Sequence, residues 1–477
     1  MRDLITKDAT ALLAELRRGA VSATQLFEAE LARIDALNPG INALIEVDRE
    51  AGYRQAAASD ARLAARTARP LEGLPISIKD CFDVAGMGNR AGTSIFANYR
   101  PDQDAVAVAR LRAAGAVIFG KSNVPAFAGD FQTYNKLFGT TNAPFDVTRS
   151  PGGSSGGAAA AIASAMSALE LGSDIGGSIR WPAHCCGVYG LKPTWDLVPT
   201  FGHVPPAPGL RLRQAADMVV AGPLARSARD LELALKIIAG PLNAEGPAFL
   251  SPPRCPEPQG LRIALWADDA FAPVDAPVRA GVASAAAMLM REGADVDDQA
   301  RPALNFAELY EAYALLLHAI TASGLPEAAR QRLIAMASHY GPHDRSHAAL
   351  QARGARLNAD DYALVQNRRR AARAAFAAFF ERFDALLVPP APCQAIHHDH
   401  GSDVMARVIT VNGASKPYFD LTHWAAFATF CGLPACVAPL PLAQNGLPTG
   451  VQIICAPGQD RQAVAIADML GQLSARH

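Results

Sequence analysis

Three separated segments carry hydroxyls and an amine in the types that a nucleophile, a proton relay and a base require. In Pro75-Ile76-Ser77-Ile78-Lys79-Asp80 a lysine ends a short apolar run. A single lysine commonly snorkels to the surface, but one that leaves a buried strand is desolvated, and desolvation lowers its pKa toward that of a base. Ser150-Pro151-Gly152-Gly153-Ser154-Ser155-Gly156-Gly157 leads directly into an alanine-rich stretch. A loop so crowded with glycine brings backbone close to something. Gly172-Ser173-Asp174-Ile175-Gly176-Gly177-Ser178 continues into Ile179-Arg180-Trp181-Pro182. A Gly-Gly pair before a serine lets successive amides converge on one point, and a helix starting after Ser178 aims its N-terminus at the same point. An oxyanion hole needs that arrangement.

Other motifs invite chemistry that their context argues against. Gly115 to Ser122 matches a phosphate-binding loop letter by letter, yet its middle residues read as an apolar strand and Pro125 follows. Such a loop needs exposed amides between a strand and a helix. His397-His398-Asp399-His400 offers metal-ligand types, but adjacent residues rarely point at one ion, so a solvated or cleft-edge loop is expected. Gly152 to Gly157 contains the G-x-S-x-G elbow twice, with Asp384 and His423 in the order a His-dependent hydrolase needs. Ser150-Pro151 stands where that elbow requires a buried strand.

The elements that must position these groups alternate. Ser22 with Gln25 reads as a capping box opening a helix that Asn38-Pro39-Gly40 ends, and residues 1–70 read as mostly helical. Strands are expected at Leu74 to Ile78, Ala116 to Phe119, Arg262 to Trp266, Ala385 to Val388, Ala435 to Leu440 and Thr449 to Ile454. A helix is expected around Ala105 to Ala114, and Gly156 to Leu171 reads as a tightly packed internal helix. Residues 300–382 form a helical pattern suited to an insertion over a sheet. This alternation is an α/β pattern.

Composition narrows the class. The 477 residues are 50% hydrophobic and 19% charged with net charge -1, which suits a globular enzyme and leaves no electrostatic footprint for nucleic acid or a membrane surface. Arg368-Arg369-Arg370 reads as a solvated face. The N-terminus shows no secretory pattern, so a cytoplasmic chain with its eight cysteines reduced, including Cys185 and Cys186, is expected.

Together these segments resemble the amidase signature family. The likeness runs from Ser150 to Gly187-Val188-Tyr189-Gly190-Leu191-Lys192-Pro193-Thr194. It includes Lys79-Asp80, Gly120 to Pro125, Gly222 to Ser227, Cys431 to Ala435 and Gly446 to Gln452. Ser173 stands where threonine is more usual, and residues 240–385 carry no recognisable likeness. The resemblance implies one domain over 1–477, an α/β fold with a large twisted mixed β-sheet core surrounded by α-helices in three α/β/α layers. Residues 71–235 would be its signature core and 300–382 a helical insertion at the substrate cleft.

By the same resemblance Ser178 is the nucleophile, Ser154 a bridging serine after a cis peptide bond, and Lys79 the base. The backbone amides of Ile175, Gly176, Gly177 and Ser178 form the oxyanion hole. Ser155, Asp174 and Arg180 would hold the loop. The implied reaction is hydrolysis of a small-molecule carboxylic amide, with esters, anilides or carbamates as side substrates, through an acyl-enzyme. It calls for no cofactor and no metal. No nucleic-acid or membrane partner is expected, and a homodimer is left open. Three other readings stand beside it: the glutamine-hydrolysing component of a tRNA-dependent amidotransferase, an inactive binding scaffold, and the His-dependent esterase. Val124 onward, the Phe201 to Pro208 loop, and Tyr418, Phe419 and Trp424 are the candidate pocket wall, with core packing the other reading for the aromatics.

Overall fold

The computed structural model describes residues 2–203, 216–242, 250–341 and 343–476. One mixed 11-stranded sheet organises them. In chain order its strands are β1 (Leu44–Val47), β2 (Pro75–Lys79), β3 (Val117–Ser122), β4 (Leu169–Asp174), β5 (Tyr189–Lys192), β6 (Val220–Ala225), β7 (Arg262–Leu265), β8 (Asp295–Asp297), β9 (Ala385–Val388), β10 (Ala435–Pro439) and β11 (Gly450–Ile454). Across the sheet they run β1-β3-β2-β4-β6-β5-β10-β11-β9-β7-β8. The helices that matter below are α1 (Ala23–Ile41), α2 (Gly156–Ala163), α3 (Arg180–Cys186), α4 (Phe306–Ser323), α5 (His347–Ala355) and α6 (Ala359–Arg382).

Every residue of β2, β3 and β4 is buried, as befits strands covered by helices on both faces. β2 is parallel to both β3 and β4, with Lys79 opposite Ser122 and Ser77 opposite Glu170. The carboxyl ends of the three strands therefore lie at one edge, where ligands of open α/β sheets bind.

The N-terminal region is largely helical, but β1 interrupts it and pairs antiparallel with β3, a strand too short to announce itself by pattern. The Ser22/Gln25 capping box is present. α1 does not stop at Asn38-Pro39-Gly40; it runs through Pro39 to Ile41 and exits at Asn42, which adopts φ 55. Proline so near the end removes little of the helical bonding, and the Asn38 side chain accepts the Ala43 and Leu44 amides at 2.9 Å to close the helix.

Gly156 to Leu171 is not one helix. α2 ends at Ser164, Ala165 turns at φ 54, and Glu170 lies in β4. The small residues of α2 serve close approach instead of length: a Cβ at Gly157 would lie 2.4 Å from the Asn123 amide.

Residues 300–382 are helical as expected. α4 and α6 close over a second core rich in aromatics, including Trp266, Phe306, Trp424 and Phe427. Arg368-Arg369-Arg370 is not wholly a solvated face. Arg369 is buried and its Nη1 donates to both carboxylate oxygens of Asp217, at 2.8 and 2.7 Å, because helical periodicity turns one of three consecutive residues inward. All eight cysteines are free thiols. Among the described residues no helix is long and apolar enough to cross a membrane.

On α1, Glu30 is buried and its Oε1 has no hydrogen-bond partner among the described residues. Burial pushes its carboxyl up to about 8, against the opposing charge of Arg226. The native state thus keeps a proton that the unfolded chain releases near 4.5, so stability falls as pH rises from 4.5 to 8. Glu30→Gln removes that dependence. It is expected to gain roughly 2 to 4 kcal/mol over wild type at pH 8 relative to pH 4 in urea unfolding. An equal effect at both pH values would refute this.

Candidate active site

Lys79 is the last residue of β2, and its side chain is fully buried. Its Nζ donates to Ser154 Oγ at 2.8 Å, to Ser173 Oγ at 2.9 Å and to Ser173 O at 3.4 Å. Among the described residues it makes no ion pair. Burial lowers its pKa, with Cys81, Asp174 and Glu170 pulling the other way. The neighbouring Asp80 lies 3.3 Å from Lys121, which also donates to Phe82 O at 2.7 Å and Gly88 O at 2.9 Å. That lysine belongs to β3, so the phosphate-loop look-alike is a strand with a structural lysine.

The Gly152 to Gly157 loop threads between two other backbones. Gly152 has φ +83 and a Cβ there would lie 2.9 Å from Pro182 Cα; one on Gly153 would lie 2.5 Å from Asp130 O. The Gly153-Ser154 peptide is cis. Thr133 Oγ1 donates to Gly152 O at 2.8 Å and accepts from Gly156 N at 3.1 Å, holding both flanks of Ser154. Ser155 joins the loop to the third segment: its amide donates to Ser178 O at 3.2 Å and its hydroxyl to Ser173 O at 3.3 Å.

Asp174 ends β4 and organises the turn that follows. Its carboxylate accepts from Gly177 N at 2.9 Å and Ile179 N at 3.1 Å, and it pairs with Arg180 through Nε at 3.0 Å and Nη2 at 2.9 Å. Burial alone would raise the Asp174 pKa, but the Arg180 charge and bonds bring it down to about 2. Arg180 in turn donates to Ala425 O at 3.0 Å, Gln452 Oε1 at 2.6 Å and Thr429 Oγ1 at 2.8 Å. Gly177 sits at φ +103, where a side chain would be strained. Ser178 is 6% exposed and lies just before α3.

The four amides expected to form an oxyanion hole differ in their partners. The Gly177 amide is taken by Asp174, whereas those of Ile175, Gly176 and Ser178 have no acceptor among the described residues. The serine, aspartate and histidine of the His-dependent reading are not assembled: Asp384 binds Arg262, and His423 lies beside Asp420. The His397 to His400 tract spreads out, with His397 near Thr148, Asp399 bonded to Gln132 and His400 stacked on Tyr134.

Of the candidate pocket aromatics, Trp424 is core, whereas Phe419 and Tyr418, the latter buried with its hydroxyl on Asp130, both line a cavity of about 350 Å³. In the Phe201 to Pro208 loop, residues 204–208 lie outside the described residues. Sequence reading missed Phe131 and Tyr313, whose rings flank Gly176, and Thr429, which holds Arg180. These residues carry no local motif, whereas Gln452 closes the Gly446 to Gln452 segment and only the fold shows it on Arg180. Ser173 stood inside a quoted segment, and only the fold shows its hydroxyl on Lys79.

The family match and the amidases among solved structures place this chain in an amide-hydrolysing class of enzyme. The Amidase family model matches residues 25–464, and the chain belongs to that family. A relative from Roseiflexus castenholzii, the A component of its glutamyl-tRNA(Gln) amidotransferase, is 33% identical over 97% of this chain and 94% of its own. Among solved structures, one accompanies a vestigial protein complex bearing on the origins of an s-triazine catabolic enzyme. It is 32% identical, with TM-score 0.78 and 98% of each chain covered. An amidase is 29% identical with TM-score 0.80, over 98% of this chain and 99% of its own.

Asp174→Asn leaves the buried Arg180 without its countercharge and should cost about 3 to 5 kcal/mol at pH 7. The contribution of the depressed Asp174 pKa is complete above 3.8 and disappears as pH falls through about 2. Urea titrations of the two proteins should therefore converge as pH drops below 3.8, and a gap independent of pH would contradict the assignment.

Proposed function

We propose that this chain hydrolyses carboxylic amides through an acyl-enzyme on Ser178, with Lys79 as base and Ser154 as relay. The observation that carries the reading is the buried Lys79 amine held 2.8 Å from Ser154 Oγ, with no carboxylate paired to it among the described residues. A desolvated amine without a countercharge is shifted toward its neutral, proton-accepting form. In this reading the amine takes the proton of Ser154 as Ser154 takes that of Ser178, and Ser178 Oγ attacks the amide carbonyl. The developing oxyanion meets the free amides of Ile175, Gly176 and Ser178. The relay then runs backwards to protonate the departing amine, and water cleaves the acyl-enzyme. Ser155, Asp174 and Arg180 position the loop without touching substrate. Phe131 and Tyr313, beside Gly176, make an aromatic wall suited to a small acyl group. Esters, anilides and carbamates, which lose a better leaving group, fit the same route.

A second reading is supported by the Roseiflexus castenholzii relative, which is named as a component of a glutamyl-tRNA(Gln) amidotransferase. In it the same serine would release ammonia from glutamine for a partner. Hydrolysis of simple amides by the purified chain favours the first reading. Glutamine hydrolysis that appears only when the other amidotransferase components are added favours the second.

The test is a panel of aliphatic, aryl and peptide amides with carbamates, the acyl-enzyme being trapped for intact-mass analysis. Ser178→Ala should abolish the adduct and lower kcat/KM by at least roughly 10³-fold, with Lys79→Ala nearly as severe. In wild type, kcat/KM should rise with pH along a limb whose midpoint lies below 10.5, since Lys79 must be neutral to act. Full activity in either variant would sink the proposal.

A further inference from the structure

We propose that His347, Asp420 and His423 form a binding site for a divalent first-row transition cation of the zinc type. The three ligand atoms lie within 4.8 Å of one another. His347 Nε2 is 2.8 Å and His423 Nε2 3.6 Å from Asp420 Oδ1. A tetrahedral zinc with bonds near 2.0 to 2.2 Å sets neighbouring donors about 3.3 to 3.5 Å apart. Opening the first contact by roughly half an ångström is therefore enough to admit the ion. Two imidazoles and one carboxylate are a donor set that zinc and its neighbours prefer over magnesium or calcium.

The backbone brings these donors together from two distant segments. Tyr418–Thr422 is a 3-10 turn, and His423 follows it with its amide on Asp420 O at 3.1 Å. In such a turn residues three apart eclipse, so Asp420 and His423 share a face. His347 opens α5 after the Ser346 cap. α5 is pressed onto α4 so closely that a Cβ at Gly354 would lie 2.7 Å from Leu315 O.

The rings are also held. Tyr310 OH lies 3.5 Å from His347 Nδ1, leaving Nε2 to face Asp420. The His423 ring is flanked by Phe271 at 4.8 Å and by the edge of Tyr310 at 4.3 Å. Partners of this kind on a ligating histidine orient it and raise metal affinity.

The cluster lines the cavity of about 350 Å³, so a remaining coordination position is open to water or to an anionic group. Glu311, also on the wall, is already matched by Arg345 at 3.2 Å and Arg353 at 3.1 Å. One turn along α4 from Tyr310, the Tyr313 hydroxyl lies 3.4 Å from Ile175 O beside the proposed anion site. An ion here would tether α5 to the 418–423 turn in the wall of this cavity. It would stand apart from Lys79, Ser154 and Ser178, and the inference does not depend on the reaction assigned to them.

The experiment titrates Co²⁺ into the chelator-stripped full chain, follows its visible absorption, and displaces it with Zn²⁺, with metal content and Tm measured in parallel. One ion per chain, tetrahedral cobalt bands and a rise in Tm are expected for wild type. His347→Ala, at the partly exposed start of α5, and the near-isosteric Asp420→Asn should each weaken binding at least about tenfold and lose the Tm rise. Their Tm without metal reports whether they fold. The His398→Ala/His400→Ala double variant should bind as wild type does. Absence of saturable binding would overturn the proposal, as would binding that survives His347→Ala and Asp420→Asn or disappears in the double variant.

Discussion

Burying an amine is costly unless something satisfies it, and this fold buries three lysines near one edge of its sheet and satisfies each differently. Lys121 is given Asp80 and two carbonyls. Lys192 is given the carbonyls of Pro193 and Leu433, each at 2.8 Å, and burial brings its pKa down to about 7. Lys79 receives two hydroxyls and a carbonyl without a matching carboxylate among the described residues. Asp80 follows Lys79 directly in the chain, but strand alternation turns adjacent side chains apart, and the carboxylate serves Lys121 instead. The neighbouring strand therefore takes the carboxylate nearest Lys79 in sequence, and burial lowers the Lys79 pKa against the more distant pull of Cys81, Asp174 and Glu170.

That arrangement requires the hydroxyls to be delivered to a point inside the protein, which explains the glycine content of the loops around them. Gly153 and Gly157 each lie where a Cβ would meet another backbone at 2.5 or 2.4 Å. The loop carrying Ser154 can pass against the backbone of residues 130–132, Asn123 and Ala43 only because those positions have no side chain. The third loop is ordered by charge: Asp174 accepts from Arg180 and from the Gly177 and Ile179 amides, and Arg180 ties the loop on to Ala425, Thr429 and Gln452. The amide of Gly177 thereby goes to the scaffold, while those of Ile175, Gly176 and Ser178 keep no acceptor among the described residues.

The helices of residues 300–382 line the cavity of about 350 Å³ and also complete a second core. Phe306 and Phe427, with ring centroids 4.3 Å apart, join α4 to the segment that supplies Ala425 and Thr429 to Arg180. A helix from the region with no recognisable motif thus supports the loop that carries the most recognisable one. The same packing brings His347 to Asp420 and His423 from another part of the chain.

The sequence by itself determined the parts whose physics is local. Runs of apolar residues marked β2, β3 and β9. Glycine next to serine marked the two loops, and the order of Lys79, Ser154 and Ser178 in their motifs marked the family. Helix and strand limits were less legible where a single residue in a left-handed turn, Asn42 or Ala165, decided them. Tertiary structure alone decided what depends on neighbours far away in the chain. Examples are the pairing of β1 with β3, the inward turn of Arg369 to Asp217, and the placing of His423 beside Asp420 while Asp384 pairs with Arg262. The donor set around Lys79 is the clearest case, because whether a lysine is a surface charge or a neutral base depends on its burial and its partners, and both are set by strands and loops that meet only when the sheet is formed.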